Sequence, residues 1–298
     1  MSKLKKYLIF TFAAAWVIGA VGCYDLINCG SMAGMMSFSY SLSFAMFMPV
    51  IGALIAGAGF KGMGWDPKAG KNWRLILAAW LIPTISQMIG AVFYYVMFPD
   101  DLDLSGNFFK EMDPYQFEQL EENGGSLIGY YLKESFLSLT SFQLCISLFA
   151  ALGEEIGWRG YMFPELKERL GYTKGVLLGG VIHGAWHFPL MLLVGYEYGK
   201  DYIGAPLLGL FAFCVFTTST GIISDFFYEK SGSIWLCGLY HAAGNSVFHV
   251  TILGANEKRI IFGPVAIGLI AVLPTVLFAA GIVYLRYRKE RQVFDELE

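Results

Sequence analysis

The sequence predicts an all-α membrane protein, a polytopic bundle of about eight transmembrane helices, and three observations predict it. The chain is 56% hydrophobic and only 15% charged over 298 residues, where a soluble domain carries about 25% charged residues. Its apolar residues are gathered into runs long enough to cross hydrocarbon, which takes about 20 residues of helix. Its basic residues fall in alternate loops, the pattern that orients a membrane protein. The mean hydropathy of +0.53 follows from the same runs.

Eight runs qualify, roughly 7–24, 36–60, 75–98, 135–158, 175–195, 206–227, 233–252 and 262–285. The first follows Lys3, Lys5 and Lys6 and reads as a transmembrane helix, not a cleaved leader, because so many spans come after it. Lys61, Lys68, Lys71 and Arg74 separate the second and third runs; Lys167, Arg169 and Lys174 follow the fourth; Arg286, Arg288, Lys289 and Arg291 follow the eighth. With an even number of crossings these segments share one face. The positive-inside rule makes that face cytoplasmic, together with both termini.

The loop after the third run is the opposite case. It holds Asp100, Asp101, Asp103, Glu111, Asp113, Glu118, Glu121 and Glu122 against Lys110 alone, so it belongs outside, as a solvated segment with a short helix near 115–122. Lys258 and Arg259 are basic residues on the outer side and depart from the pattern.

No internal repeat or low-complexity tract divides the chain, so residues 1–298 read as one integral membrane domain of the cell membrane. No basic stripe or nucleic-acid motif is present, which excludes nucleic acid as a partner. Among five cysteines, Cys145, Cys214 and Cys237 fall in apolar runs and pack as small hydrophobes. Cys23 and Cys29 flank a short outer loop where a disulfide could form.

Ionisable groups inside these runs are the informative residues, since each costs about 2.5–3.5 kcal/mol on insertion scales. The fourth run ends in Gly153-Glu154-Glu155-Ile156-Gly157-Trp158-Arg159. Glu155 and Arg159 are four apart and share a helix face, so they can pair. Glu154 is rotated by about 100° and points elsewhere, free to exchange a proton. Two carboxylates at a helix C-terminus also oppose its dipole, which argues against a purely structural placement.

The fifth run carries His183-Gly184-Ala185-Trp186-His187-Phe188-Pro189. His183 and His187 share a face at a spacing that can ligate metal, and Pro189 removes a backbone donor and bends the helix. In the seventh run His241 and Asn245 share a face, with the small residues Ala242, Ala243 and Gly244 between them allowing close helix approach. His249 continues that face toward the outer end and reads as structural. Counted from the cytoplasmic boundary, His183 and His241 lie about 12 Å deep, His187 and Asn245 about 18 Å, and Glu154 about 6–8 Å. Three segments can thus contribute to one polar site.

Glu154-Glu155-x3-Arg159, the histidine His187, and His241-x3-Asn245, in this order over residues 135–250, resemble the CPBP family of CAAX prenyl endopeptidases and bacterial Abi proteins, the bacteriocin-processing and immunity proteases. The stretch Gly153 to Pro164 and the segment Trp186 to Pro189 are similar to the bacterial members. One departure is His183, which stands where that family's second motif has an aromatic residue.

The resemblance implies an eight-helix intramembrane endopeptidase whose cavity opens to the cytoplasm. It implies that Glu154 with His187 activates a water, that His241 and Asn245 stabilise the oxyanion, and that Glu155 with Arg159 braces the site. The substrate would be a peptide or protein in the lipid bilayer, either a prenylated chain or a bacteriocin or pheromone precursor. Glu154, His187 and His241 could instead hold a zinc ion as a two-histidine, one-glutamate set. A non-catalytic immunity or binding protein of the same fold and a transporter are the competing readings. The complete Glu/His/His/Asn set disfavours the first, and the lack of an inverted repeat disfavours the second.

Overall fold

The computed structural model describes residues 1–29 and 32–295, with side chains through residue 288; Lys289 and Arg291 of the basic C-terminal run lie outside the described side chains. Every regular element among the described residues is helical. Helix α1 (Lys3–Cys29) is longer than the first apolar run because its polar ends continue the helix. That corrects the Cys23–Cys29 expectation: six residues of helix separate their Cα atoms by about 9 Å, beyond the roughly 7 Å a disulfide spans. Both are free thiols, Cys23 buried and Cys29 exposed.

The second run is split into α2 (Met32–Ala45) and α3 (Met48–Ile55), with Pro49 in the first turn of α3. Helix α4 (Ala69–Met97) follows, with Pro83 inside it. The acidic loop is folded, not merely solvated. It forms α5 (Asn107–Met112) and α6 (Pro114–Glu122), the latter capped by Asp113 Oδ1, which accepts the Gln116 N–H at 3.0 Å. Phe109 and Phe117 anchor both helices in a small apolar cluster.

The fourth run becomes α7 (Leu127–Thr140) and α8 (Phe142–Gly157), which continues through a π-turn at Trp158–Met162 into α9 (Phe163–Leu170). The α7 and α8–α9 arms meet at 56°. The fifth run is α10 (Tyr172–Trp186) and α11 (Phe188–Val194), interrupted at His187. Pro189 supplies no N–H to the Ala185 carbonyl one turn back, and at this break the Trp186 carbonyl accepts the Trp16 indole N–H at 3.0 Å. Helices α12 (Leu207–Ser231), α13 (Ile234–Asn245) and α14 (Leu273–Asp295) complete the bundle.

Among the described residues, five segments are long and apolar enough to cross a membrane, and the bent α7/α8–α9 arm makes a sixth. The seventh run is helical only as far as Asn245, so His249 does not continue the face of His241 and lies in the irregular chain that follows. The eighth run begins its helix at Leu273, with turns before it.

The ends of the bundle sort by charge. At one end Lys167 pairs with Asp225 at 2.7 Å and Glu229 at 3.1 Å, Arg286 reaches Glu229 at 2.8 Å, and Ser233 donates to the Gly64 carbonyl at 2.8 Å. At the other, the Asp103 N–H bonds the Leu253 carbonyl at 2.8 Å, and Arg259 Nε bonds Asp101 Oδ2 at 2.9 Å. The acidic loop thus neutralises Arg259, one of the two residues that depart from the charge pattern. The protein is a multi-pass membrane protein whose basic loops gather at one end.

Two glycines let the central helices close up. A Cβ on Gly157 would lie 2.4 Å from Pro49 Cβ and 2.5 Å from its carbonyl carbon, so α8 touches the start of α3 directly. A Cβ on Gly180 would lie 2.3 Å from Thr218 Cα, so α10 and α12 meet backbone to backbone. With α13 packed along α8, these contacts draw the polar segments together.

Candidate active site

Glu154 and Glu155 are 2% and 1% exposed, although nothing covers most of the first two turns of α8. A carboxylate so placed needs partners, and the two find different ones. Glu155 Oε1 lies 2.9 Å from Arg159 Nη1 and 2.8 Å from His241 Nδ1, while Oε2 accepts the Ser224 hydroxyl at 3.1 Å. Both oxygens of Glu155 are therefore occupied. Arg159 is itself buried and lies 4.6 Å over the Phe163 ring.

Glu154 is bound on one side only. Its Oε2 accepts the Trp158 indole N–H at 3.0 Å and lies 3.1 Å from His183 Nε2. Its Oε1 accepts no hydrogen bond among the described residues. Glu154 is thus held more firmly than its place on the helix suggests, and its direct partner is His183, not His187.

The histidines crowd around this carboxylate. The His183 ring is 5.1 Å from Trp158, 5.5 Å from His187 and 6.2 Å from His241, centroid to centroid. His187 sits at the break between α10 and α11, where its Nδ1 is 3.2 Å from the His183 carbonyl. A carbonyl only accepts, so Nδ1 carries the proton and Nε2 keeps a lone pair. Phe213 at 4.9 Å and Tyr196, stacked at 6.4 Å, hold the His187 ring. His241 likewise commits Nδ1 to Glu155 and leaves Nε2 for other work. Asn245, at the end of α13, is exposed, and its side chain makes no hydrogen bond among the described residues.

Two residues of this cluster escape a reading of the sequence. Trp158 follows Glu154 by four, the same spacing that pairs Glu155 with Arg159, so the rule that found one contact could have found the other. Ser224 gives no such signal, being a small hydroxyl within a long apolar helix.

The zinc expectation meets a geometric test here. Two imidazole nitrogens with lone pairs and a free carboxylate oxygen are suitable donors. Yet among the described residues no three His, Cys, Asp or Glu groups converge as ligands of one ion. The arrangement does not fit a bound metal.

The fold and site define a class: a membrane protein, all-helical in its described residues, that buries two carboxylates and the His183 imidazole, with His187 and His241 half-buried beside them, where three helical segments meet. Residues 136–247, which contain every residue of this cluster, match the family model described as Type II CAAX prenyl endopeptidase Rce1-like. A relative from Methanococcus maripaludis, named CAAX prenyl protease 2, is 39% identical over 72 residues, 24% of this chain. The matched part spans only 27% of that relative's length. Through this segment the chain is similar to CAAX-type prenyl endopeptidases.

Proposed function

We propose that the chain is an intramembrane endopeptidase of the CAAX type, with residues 1–298 forming one membrane domain around a catalytic core at about 135–250. The supporting observation is the asymmetry of the adjacent glutamates. Glu155 is fully committed to Arg159, His241 and Ser224, whereas Glu154 keeps Oε1 unbonded. A carboxylate held by one oxygen and open at the other is suited to general-base work.

In this reading Glu154 Oε1 takes a proton from a water as that water attacks the scissile carbonyl carbon, and His187 Nε2 accepts a hydrogen bond that orients the same water. The carbonyl oxygen becomes the oxyanion. His241, as the imidazolium, and the Asn245 amide donate to it. Collapse of the tetrahedral intermediate breaks the C–N bond, and the proton on Glu154 passes to the leaving amine. Glu155 and Arg159 brace His241.

The substrate is a peptide or protein presented at the membrane. A prenylated C-terminal segment is favoured by the similarity to a CAAX prenyl protease; an unprenylated bacteriocin or pheromone precursor is the second option. The purified protein in liposomes should release the C-terminal fragment of a farnesylated peptide with an aliphatic tail. Cleavage of the unprenylated peptide at the same rate would remove the prenyl group from the reading, and no cleavage of either peptide would count against the endopeptidase itself. The cavity is taken to open to the cytoplasm. A lone cysteine at Asn245, labelled by an impermeant thiol reagent from the cytoplasmic face alone, would bear this out; labelling from the outer face alone would reverse it.

A further inference from the structure

We propose that His183 is a positioning residue that fixes which oxygen of Glu154 is offered to water. The inference rests on the reading of Glu154 as the base. His183 Nε2 and Trp158 Nε1 meet the same carboxylate oxygen, Oε2, at 3.1 and 3.0 Å. Two donors from different helices on one oxygen fix the plane of the carboxylate, and the remaining oxygen is left with its lone pairs unused. Trp158 sits on the helix of Glu154, so only His183, from α10, ties that orientation to the rest of the site.

The other face of the imidazole supports this role. Opposite a carboxylate, Nε2 carries the proton, so Nδ1 is a bare acceptor, and Nδ1 is buried with no hydrogen-bond partner. A stranded buried nitrogen is unfavourable. A phenyl ring of similar size could keep the packing against Trp158, His187 and His241 with no stranded atom. The imidazole is explained by its Nε2–H, the one feature a phenyl ring lacks.

The test compares two substitutions of His183 in the full-length protein, assayed on the farnesylated peptide in liposomes. His183→Phe keeps the ring and removes the donor; His183→Gln restores a donor near the position of Nε2. His183→Phe should lower kcat on the order of 10–100-fold with KM within about twofold of the parent, and without loss of thermal stability. His183→Gln should recover most of kcat. Full kcat in His183→Phe, or an equal loss in both variants, would overturn the inference. Should His183→Phe not fold, His183→Leu takes its place under the same criteria.

Glu154→Gln separates the two levels of argument. An active Glu154→Gln enzyme removes the base, and the inference goes with it. An inactive Glu154→Gln beside a fully active His183→Phe removes the positioning role alone. A structure of the His183→Phe protein gives an answer without any substrate: the Glu154 carboxylate should rotate away from its present plane, and an unchanged carboxylate would refute the proposal.

Discussion

Glu155 Oε1 stands 2.8 Å from His241 Nδ1, joining α8 to α13 across 86 positions of sequence. That contact fixes the imidazole by its Nδ1 and leaves Nε2 without a hydrogen bond among the described residues. The more deeply committed of the two glutamates thus orients a histidine, and the other keeps one oxygen unbonded among the described residues.

Glu154→Gln removes the base while keeping the size of the side chain and its hydrogen bond from Trp158. Peptide cleavage should fall by about 10²–10⁴-fold, with the protein still inserted and monodisperse in detergent. A Glu154→Gln enzyme with parental turnover would refute the assigned role.

Arg159→Met leaves Glu155 buried without its strongest partner. Breaking a buried ion pair from one side costs about 3–5 kcal/mol, so thermal unfolding in detergent should move down markedly. The double variant Arg159→Met/Glu155→Gln removes both charges and should recover much of that loss. It should still cleave slowly, because His241 loses the carboxylate that orients it.

Asp101 carries the pH dependence of the outer end. The Arg259 guanidinium hydrogen-bonded to it holds its carboxyl below the usual aspartate range. The folded state therefore binds fewer protons here than the unfolded chain in acid. The contribution is complete above the unfolded value, about 3.9, and is lost as pH falls through the lower folded value. Melting of the parent and of Asp101→Asn, followed from about pH 6 to about pH 3, should differ most at the higher pH and converge in acid. A constant gap would show that Asp101 acts by other means.

Gly157→Ala should be poorly tolerated for a steric reason. The added methyl would meet both Cβ and backbone atoms of Pro49 within 2.6 Å, and backbone cannot rotate away. Overpacking of this kind costs about 1–3 kcal/mol and would push α8, with both glutamates, off α3. Gly59→Ala, where a Cβ meets nothing within 4 Å, is the matched control and should melt with the parent.

Activity should survive dialysis against a strong chelator, because the described side chains do not converge on an ion. Loss on chelation and recovery with zinc would show that His187, His241 and Glu154 rearrange around metal.

Much of the architecture was legible from the order of residues. The long apolar runs became helices, the alternating basic loops gathered at one end, and the short helix of the acidic loop formed at Pro114–Glu122. Glu155 and Arg159 paired as their spacing of four requires. These are local consequences of helical geometry, or of the cost of charge in hydrocarbon. The sequence did less well where the helix stops. It carried the seventh run to residue 252, whereas helix ends at Asn245, and it read Cys23 and Cys29 as flanking a loop that is in fact helix.

The sequence by itself determined that the chain lies in a membrane, and which of its residues were too costly there to be incidental: Glu154, Glu155, Arg159, His183, His187, His241 and Asn245. Only the tertiary structure decided how they are shared out. It gave Ser224 to Glu155, placed His183 rather than His187 against Glu154, and left one oxygen of one glutamate open. The physical reason is that spacing fixes which residues share a face of one helix. The π-turn after Gly157, the break at His187 and the glycine contacts with Pro49 and Thr218 set how the helices are rotated and sunk against each other. A shift of one turn, about 5.4 Å, would exchange every one of these partners.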